Sequence, residues 1–240
     1  MQIIKYLKLP VQFNAEVLQA ETAALAGVYW KMHYNKKHYS GNWSIIPLRA
    51  LNGDPELTYS VHASAAGYMP YDDTPLLQQC PYMQQVLNQF SCEKTSVRLM
   101  KLDAGAVINT HCDQDMAYEQ GEIRLHIPVS TNPGVAFYIE EERIPMQEGE
   151  CWYLNLQLPH RVRNDGQADR VHLVIDCQVN EWVHELFRQP GIAVKKFTST
   201  REMAAPLSDA EKERVIQELR RQNTPDAHRL ADNLEGTGQQ

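Results

Sequence analysis

Between Lys94 and Val179 the chain is broken into short alternating segments separated by turn clusters, and this rhythm limits the fold more than any other feature. The segments run Thr95 to Leu102, Val107 to Thr110, Glu122 to Val129, Val135 to Ile139, Cys151 to Leu156 and Arg170 to Val179. Asn132-Pro133-Gly134, Glu148-Gly149-Glu150 and Asn164-Asp165-Gly166 fall between them. Apolar residues at every second position give each segment one face for a core. Turn residues at such close intervals predict an antiparallel sandwich or barrel, a jelly-roll-like region.

The flanks read differently. Ile3, Lys5 and Leu7 alternate like a strand, and Asn14 precedes a helical stretch from Ala15 to Leu25. The polar, turn-rich segment from Gly53 to Asp73 carries Tyr59, Tyr68 and Tyr71; a loop of this length is a lid or binding loop where it is not simply disordered. Thr74-Pro75 supplies an N-cap and a first-turn proline for a helix from Pro75 to about Phe90. Past the strands, Asn180-Glu181 starts a short helix stopped by Pro190-Gly191. Ser208 to Glu211 is a capping box for a charged helix to about Arg221, followed by a frayed polar tail from Gln222. The expected organisation is a strand and helix region over 1–93, a catalytic core over 94–180 and a helical extension over 181–240, mainly β with flanking helices.

The chain has 240 residues, 43% of them hydrophobic and 22% charged, enough for one well-buried core. A formal net charge of -7, with only Lys36-Lys37 as a dense basic cluster, argues against nucleic acid as a partner. No apolar run is long enough to span a bilayer, and lysines interrupt the N-terminal residues where a signal peptide would be apolar. A cytoplasmic location and no membrane partner are the expectation. Five widely spaced cysteines without a Cys-x-x-Cys pair indicate reduced thiols rather than disulfides or a zinc ribbon. The oligomeric state is not encoded in any pattern we can read.

The chemistry concentrates in His111-Cys112-Asp113 and in His160. Two imidazoles and a carboxylate on one face of an iron ion leave adjacent positions open for a co-substrate and dioxygen. On a strand, residues i and i+2 point the same way, so His111 and Asp113 can reach one metal while His160 arrives from a distant strand. In a chain with nine histidines the His-x-Asp triplet alone is a weak signal. Arg170 strengthens it. It heads a strongly alternating strand, shares a face with His172, and can offer its planar fork to a carboxylate, as a 2-oxoglutarate site requires. The competing reading is a surface arginine paired with Asp169 or Glu181. On another strand Arg124 and His126 share the face opposite Ile123, Leu125, Ile127 and Val129, a pair suited to anion binding if that face lines a cavity.

The order His111-x-Asp113, Arg124-x-His126, Gly149-Glu150 with Trp152, then His160 and Arg170 ten residues later resembles the aspartyl/asparaginyl β-hydroxylase family. The likeness covers Thr95 to about Val179 and is nearest the bacterial subset that includes hydroxylases of free proline. It implies a double-stranded β-helix with Fe(II) and 2-oxoglutarate. Position by position, it implies His111, Asp113 and His160 as iron ligands and Arg170 on the distal carboxylate of 2-oxoglutarate. It further implies His126 near the metal-bound end of that co-substrate, and Arg124 with Arg98 on the substrate's carboxylate. Members that modify epidermal-growth-factor-like domains lack the carboxylate ligand that Asp113 provides here, which weakens any transfer of their substrate. The implied activity is hydroxylation of an amino acid or another carboxylate-bearing small molecule.

The remaining histidines, His33, His38, His62, His172, His184 and His228, read as structural or exposed, with His172 nearest to a role. Cys112 should point away from its neighbours, Trp152 and Tyr153 belong to core or wall, and Asn155 is either a cavity residue or a strand-end turn residue. Two other functions remain open on these residues: a cupin-type metalloenzyme that does not use 2-oxoglutarate, and a non-catalytic jelly-roll binding or sensor module.

Overall fold

Alternation along the strand Arg170–Gln178 divides its side chains between two environments, and the fold follows from that division. Val171, Leu173, Ile175 and Cys177 join one apolar cluster with the helices, while Arg170, His172, Val174 and Asp176 turn the other way. The computed structural model describes residues 2–27, 29–59, 70–188 and 194–198, with isolated positions at 213, 216, 217 and 220. Residues Gln2–Phe197 form one compact unit.

In chain order the strands are β1 (Gln2–Gln12), β2 (Lys31–Met32), β3 (Tyr39–Ser40), β4 (Trp43–Leu51), β5 (Tyr71–Asp73), β6 (Lys94–Leu102) and β7 (Val107–His111). They continue with β8 (Glu122–Ser130), β9 (Val135–Ile139), β10 (Glu142–Ile144), β11 (Glu150–Leu154), β12 (His160–Asn164), β13 (Arg170–Gln178) and β14 (Val194–Thr198). The helices are α1 (Ala15–Ala26), α2 (Pro81–Asn88) and α3 (Glu181–Arg188). The larger sheet runs β14-β1-β11-β8-β13-β6-β4-β2 with β5 on β4, and the smaller runs β10-β9-β12-β7-β3. Ile45, Met100 and Leu102 of the first pack on Ile108, Phe137, Ile139 and Val162 of the second. The result is the jelly roll the strand rhythm predicts. Strands from the N-terminal residues are woven into both sheets, β4 beside β6 and β3 beside β7.

On the outer side of the larger sheet, Ile123, Leu125, Ile127 and Val129 of β8 pack with Leu18 and Leu25 of α1, Met83 and Val86 of α2, and Val183 and Phe187 of α3. Each fully buried aliphatic side chain there contributes about 1.5–3 kcal/mol. The other face of β8, with Arg124 and His126, therefore lies between the sheets.

Helix α1 begins as expected, Asn14 Oδ1 accepting from the Val17 N–H at 3.2 Å. Helix α2 begins later than Thr74-Pro75 suggests. The Thr74 hydroxyl is buried and donates to the Pro47 carbonyl at 2.9 Å, and a single 3-10 turn, Leu77–Gln79, intervenes. Pro81 is the first-turn proline, and the cap is tertiary: Glu21 of α1 accepts from the N–H groups of Tyr82 at 2.6 Å and Met83 at 2.9 Å. Asn180 caps α3, accepting from the Val183 N–H at 3.0 Å. Of the Gly53 to Asp73 segment, the end forms β5 and residues 60–69 lie outside the described residues, as do the Ser208 capping box and the tail from Gln222. Among the described residues no helix is long and apolar enough to cross a membrane.

Candidate metal centre

Strands β7 and β12 are neighbours in the smaller sheet, and their register sets His160 directly opposite His111. The two rings lie 4.2 Å apart at their centroids. Asp113 follows two residues after β7 ends, its N–H donating to the Leu156 carbonyl at 2.9 Å, which holds the segment against the turn before His160. One donor atom from each of His111, Asp113 and His160 lies within 4.8 Å of the others. Both imidazoles are oriented from behind: Nδ1 of His111 bonds the Asn109 carbonyl at 2.8 Å and Nδ1 of His160 bonds the Leu158 carbonyl at 3.0 Å. Those bonds place the proton on Nδ1 and leave each Nε2 lone pair for a cation.

Burial, reinforced by His111, lowers the His160 pKa to about 4, so this imidazole is neutral and ready to ligate at ordinary pH. Burial would raise the Asp113 carboxyl, but Arg124, followed by His160 and His111, outweighs it and holds the group below its usual range. Its two oxygens face different partners. Oδ1 is 3.7 Å from His111 Nε2, and Oδ2 accepts from Arg124 Nη1 at 2.5 Å.

Arg170 and His126 line a small pocket with all three of these groups. Arg170 is 3% exposed, so the surface ion-pair reading does not hold; Asp169 pairs with Lys101 instead. Its Nη2 donates to His172 Nδ1 at 2.7 Å, and its Nε has no hydrogen-bond partner among the described residues. Burial alone depresses its pKa to about 9. His126 Nε2 is also buried without a hydrogen-bond partner among the described residues, and its Nδ1 is 3.4 Å from that of His172. Burial, with Arg170 next, keeps both imidazoles far below their usual pKa. A wider cavity of about 790 Å³ lies among residues 131–148 and meets this cluster at Arg170, His172 and Phe137.

On the other side of the ligand group is a cavity of about 300 Å³, lined in part by His33, Trp43, Arg98, Asp113, Arg124 and Asp176. Arg124 grips Asp176 with two bonds, Nε to Oδ1 at 2.6 Å and Nη2 to Oδ2 at 2.9 Å, and Arg98 Nη2 reaches Oδ2 at 2.6 Å. Burial works against the Arg124 charge, yet Asp176 and Asp113 outweigh it and hold its pKa above normal. Burial lowers that of Arg98, with Asp176 opposing. The His33 ring stacks on Trp43 at 3.6 Å and 7°, its Nδ1 accepts from the Asn35 N–H at 3.2 Å, and burial with Arg98 and Arg124 lowers its pKa to about 3.

The structure thus gathers His111, Asp113, His160, Arg170, His126, Arg124 and Arg98 around adjoining cavities. Asp176 and Trp43, which the sequence analysis does not single out for the site, line the second cavity with His33, and His172 lies beside Arg170. Asp176 carried a usable signal, since it shares the strand parity of Arg170 and His172. His33 carried none, because it follows a strand of only two residues. Asn155 proves to be a turn residue, donating to the Ile4 carbonyl and accepting from the Gln157 N–H, both at 3.2 Å. Trp152 and Tyr153 are buried in the core. Cys112 is exposed while the other four thiols are buried, and no disulfide links any of the five. His184 is tied to the Tyr118 hydroxyl at 2.6 Å, and His62 and His228 lie outside the described residues.

A model of the family described as aspartyl/asparaginyl β-hydroxylase matches residues 12–179. The L-proline cis-4-hydroxylase of Rhizobium meliloti (strain 1021) is 29% identical over 168 residues, covering 69% of this chain. The chain spans 57% of the length of that relative. Among solved structures, a prolyl-4-hydroxylase from Pseudomonas putida aligns at TM-score 0.45 and 12% identity, over 74% of this chain and 94% of its own. HygX from Streptomyces hygroscopicus, solved with nickel and 2-oxoglutarate, aligns at TM-score 0.44 and 10% identity, over 73% of this chain and 83% of its own.

Proposed function

This chain belongs to the aspartyl/asparaginyl β-hydroxylase family, and from that premise we propose that it is an Fe(II)- and 2-oxoglutarate-dependent dioxygenase that hydroxylates a free amino acid or a similar small carboxylate-bearing molecule. The observation that carries this reading is the convergence of two oriented imidazoles and a carboxylate beside a buried arginine that has no acid partner among the described residues.

The residues fit both groups. Three donors from one side of a cation are the ligand set of a non-haem iron site with open positions. A guanidinium with an unpartnered Nε, 3% exposed, is costly unless a ligand's carboxylate satisfies it. Iron would be held by His111, Asp113 and His160, and the far carboxylate of 2-oxoglutarate by Arg170, with His126 near its other end. When bound, the two together couple reduction of dioxygen and decarboxylation of 2-oxoglutarate to hydroxylation of a C–H bond.

The protein's own work is placement. Asn109 and Leu158 carbonyls hold the imidazoles in one tautomer. Arg124 occupies the Asp113 oxygen that faces away from His111. The 300 Å³ cavity has room for one small molecule, whose carboxylate would meet Arg98 and Arg124 while its body lies against the Trp43 and His33 rings. That wall fixes which C–H bond faces the metal and keeps water from it.

Screening amino acids and small acids for stimulated succinate formation tests the proposal. A turnover-competent acid should give matching amounts of hydroxylated product and succinate, both abolished in His160→Ala; full activity in that variant would overturn the assignment.

A further inference from the structure

We propose that Asp176 is a positioning residue that ties the substrate's carboxylate site to the metal's carboxylate ligand, setting the direction in which substrate is held more than how tightly. This rests on the function proposed above.

Asp176 shares the inward parity of Arg170, His172 and Val174 on β13 and is 1% exposed. Sheet register delivers its partners: Arg124 lies directly across on β8, and Arg98 lies opposite Val174 on β6. The bonds already given make a continuous chain, Arg98 to Asp176 to Arg124 to Asp113. Two guanidiniums and two carboxylates balance in charge, so Asp176 is what allows two buried cations to stand side by side.

Both arginines line the cavity beside the ligand group, and Arg98 Nε is buried without a hydrogen-bond partner among the described residues. All three Arg124 nitrogens are engaged, Nε and Nη2 by Asp176 and Nη1 by Asp113. Its plane cannot turn toward a substrate without breaking one of those bonds. An incoming carboxylate must therefore land where the fixed arginine edges point, and the guanidinium it meets is the one that holds the outer oxygen of Asp113.

Replacing Asp176 by asparagine keeps the shape, removes the charge and turns one acceptor into a donor facing an arginine. The cavity becomes more cationic, so a carboxylate still binds, but the arginine planes are released. In Asp176→Asn, hydroxylated product formed per succinate should fall on the order of tenfold, since a small misplacement of the reacting bond is costly. Calorimetric affinity of the metal-free protein for the amino acid should not fall, because both arginines keep their charge and one competing carboxylate is gone. Arg98→Gln, which leaves Asp176 and Arg124 paired, should instead weaken that affinity while the product that forms remains matched to succinate.

Wild-type coupling in a folded Asp176→Asn would overturn the inference. If Asp176→Asn does not fold, Asp176→Glu, which displaces the carboxylate by one methylene, is read the same way: lost coupling supports the role, wild-type coupling overturns it. A wild-type protein that consumes no 2-oxoglutarate with any acid would overturn the function and this inference together, whereas normal wild-type turnover with a fully coupled variant overturns this inference alone.

Discussion

Arg170 keeps its charge inside the protein with an imidazole as its only hydrogen-bonded neighbour among the described residues. The cost of that burial fits the role proposed for it on 2-oxoglutarate, and on that proposal Arg170→Met should raise the KM for 2-oxoglutarate by about 30- to 100-fold, the worth of a charge-assisted pair. Metal affinity should not change, because Arg170 touches none of the three ligands. Initial rates of succinate formation against 2-oxoglutarate concentration check the first part and Mn(II) titration the second; an unchanged KM would favour a metalloenzyme that does not use 2-oxoglutarate. At this scale much of the site was legible. Strand parity alone puts Arg124 with His126 and Arg170 with His172 on faces opposite their aliphatic neighbours. Parity could not say that those faces point inward, since a polar face usually meets solvent. His33 was illegible for another reason: its place depends on stacking against Trp43 and not on any local pattern.

Elements were legible where their signals were local. Asn14 and Asn180 cap the helices that follow them, and the alternating segments became strands. Strand β12 was overlooked although His160, Val162 and Asn164 are its buried positions, because arginines at 161 and 163 and the nearby turn residues mask the alternation. The start of α2 was misplaced because its cap comes from 60 residues upstream, where no local rule reaches. Glu21→Ala should therefore lower stability by about 1–2 kcal/mol, leaving two N–H groups of α2 without their acceptor and removing a favourable charge from the helix start. Urea denaturation should show a lower midpoint at constant slope, with metal affinity unaltered. A midpoint like that of the wild type would show that water replaces the carboxylate at no cost.

Residues 2–197 turn one face of the larger sheet to the helices and set charged and imidazole groups among the apolar side chains between the two sheets. Those imidazoles set the protein's response to acid. His33 titrates in the folded protein at about 3, and His126 and His172 are also held below the ordinary value of 6.5, in each case first by burial. The unfolded chain therefore binds more protons than the folded one below about pH 6.5, so this contribution is complete above that pH and is lost as pH falls toward the folded values. Each pKa unit of difference is worth about 1.4 kcal/mol. Thermal scans of the metal-free protein should show Tm rising from pH 4 to about pH 6.5 and levelling above it; a flat profile would mean that these rings are hydrated. The pairing of His111 with His160 has a mechanical consequence too. A cation held there would join two strands that lie far apart in sequence, closing the long stretch between them into a loop, as a disulfide would. The chain has no disulfide, so iron would serve as its removable cross-link. Adding a chelator should lower Tm by an amount that grows with the free metal concentration withdrawn, and His111→Ala should abolish that dependence.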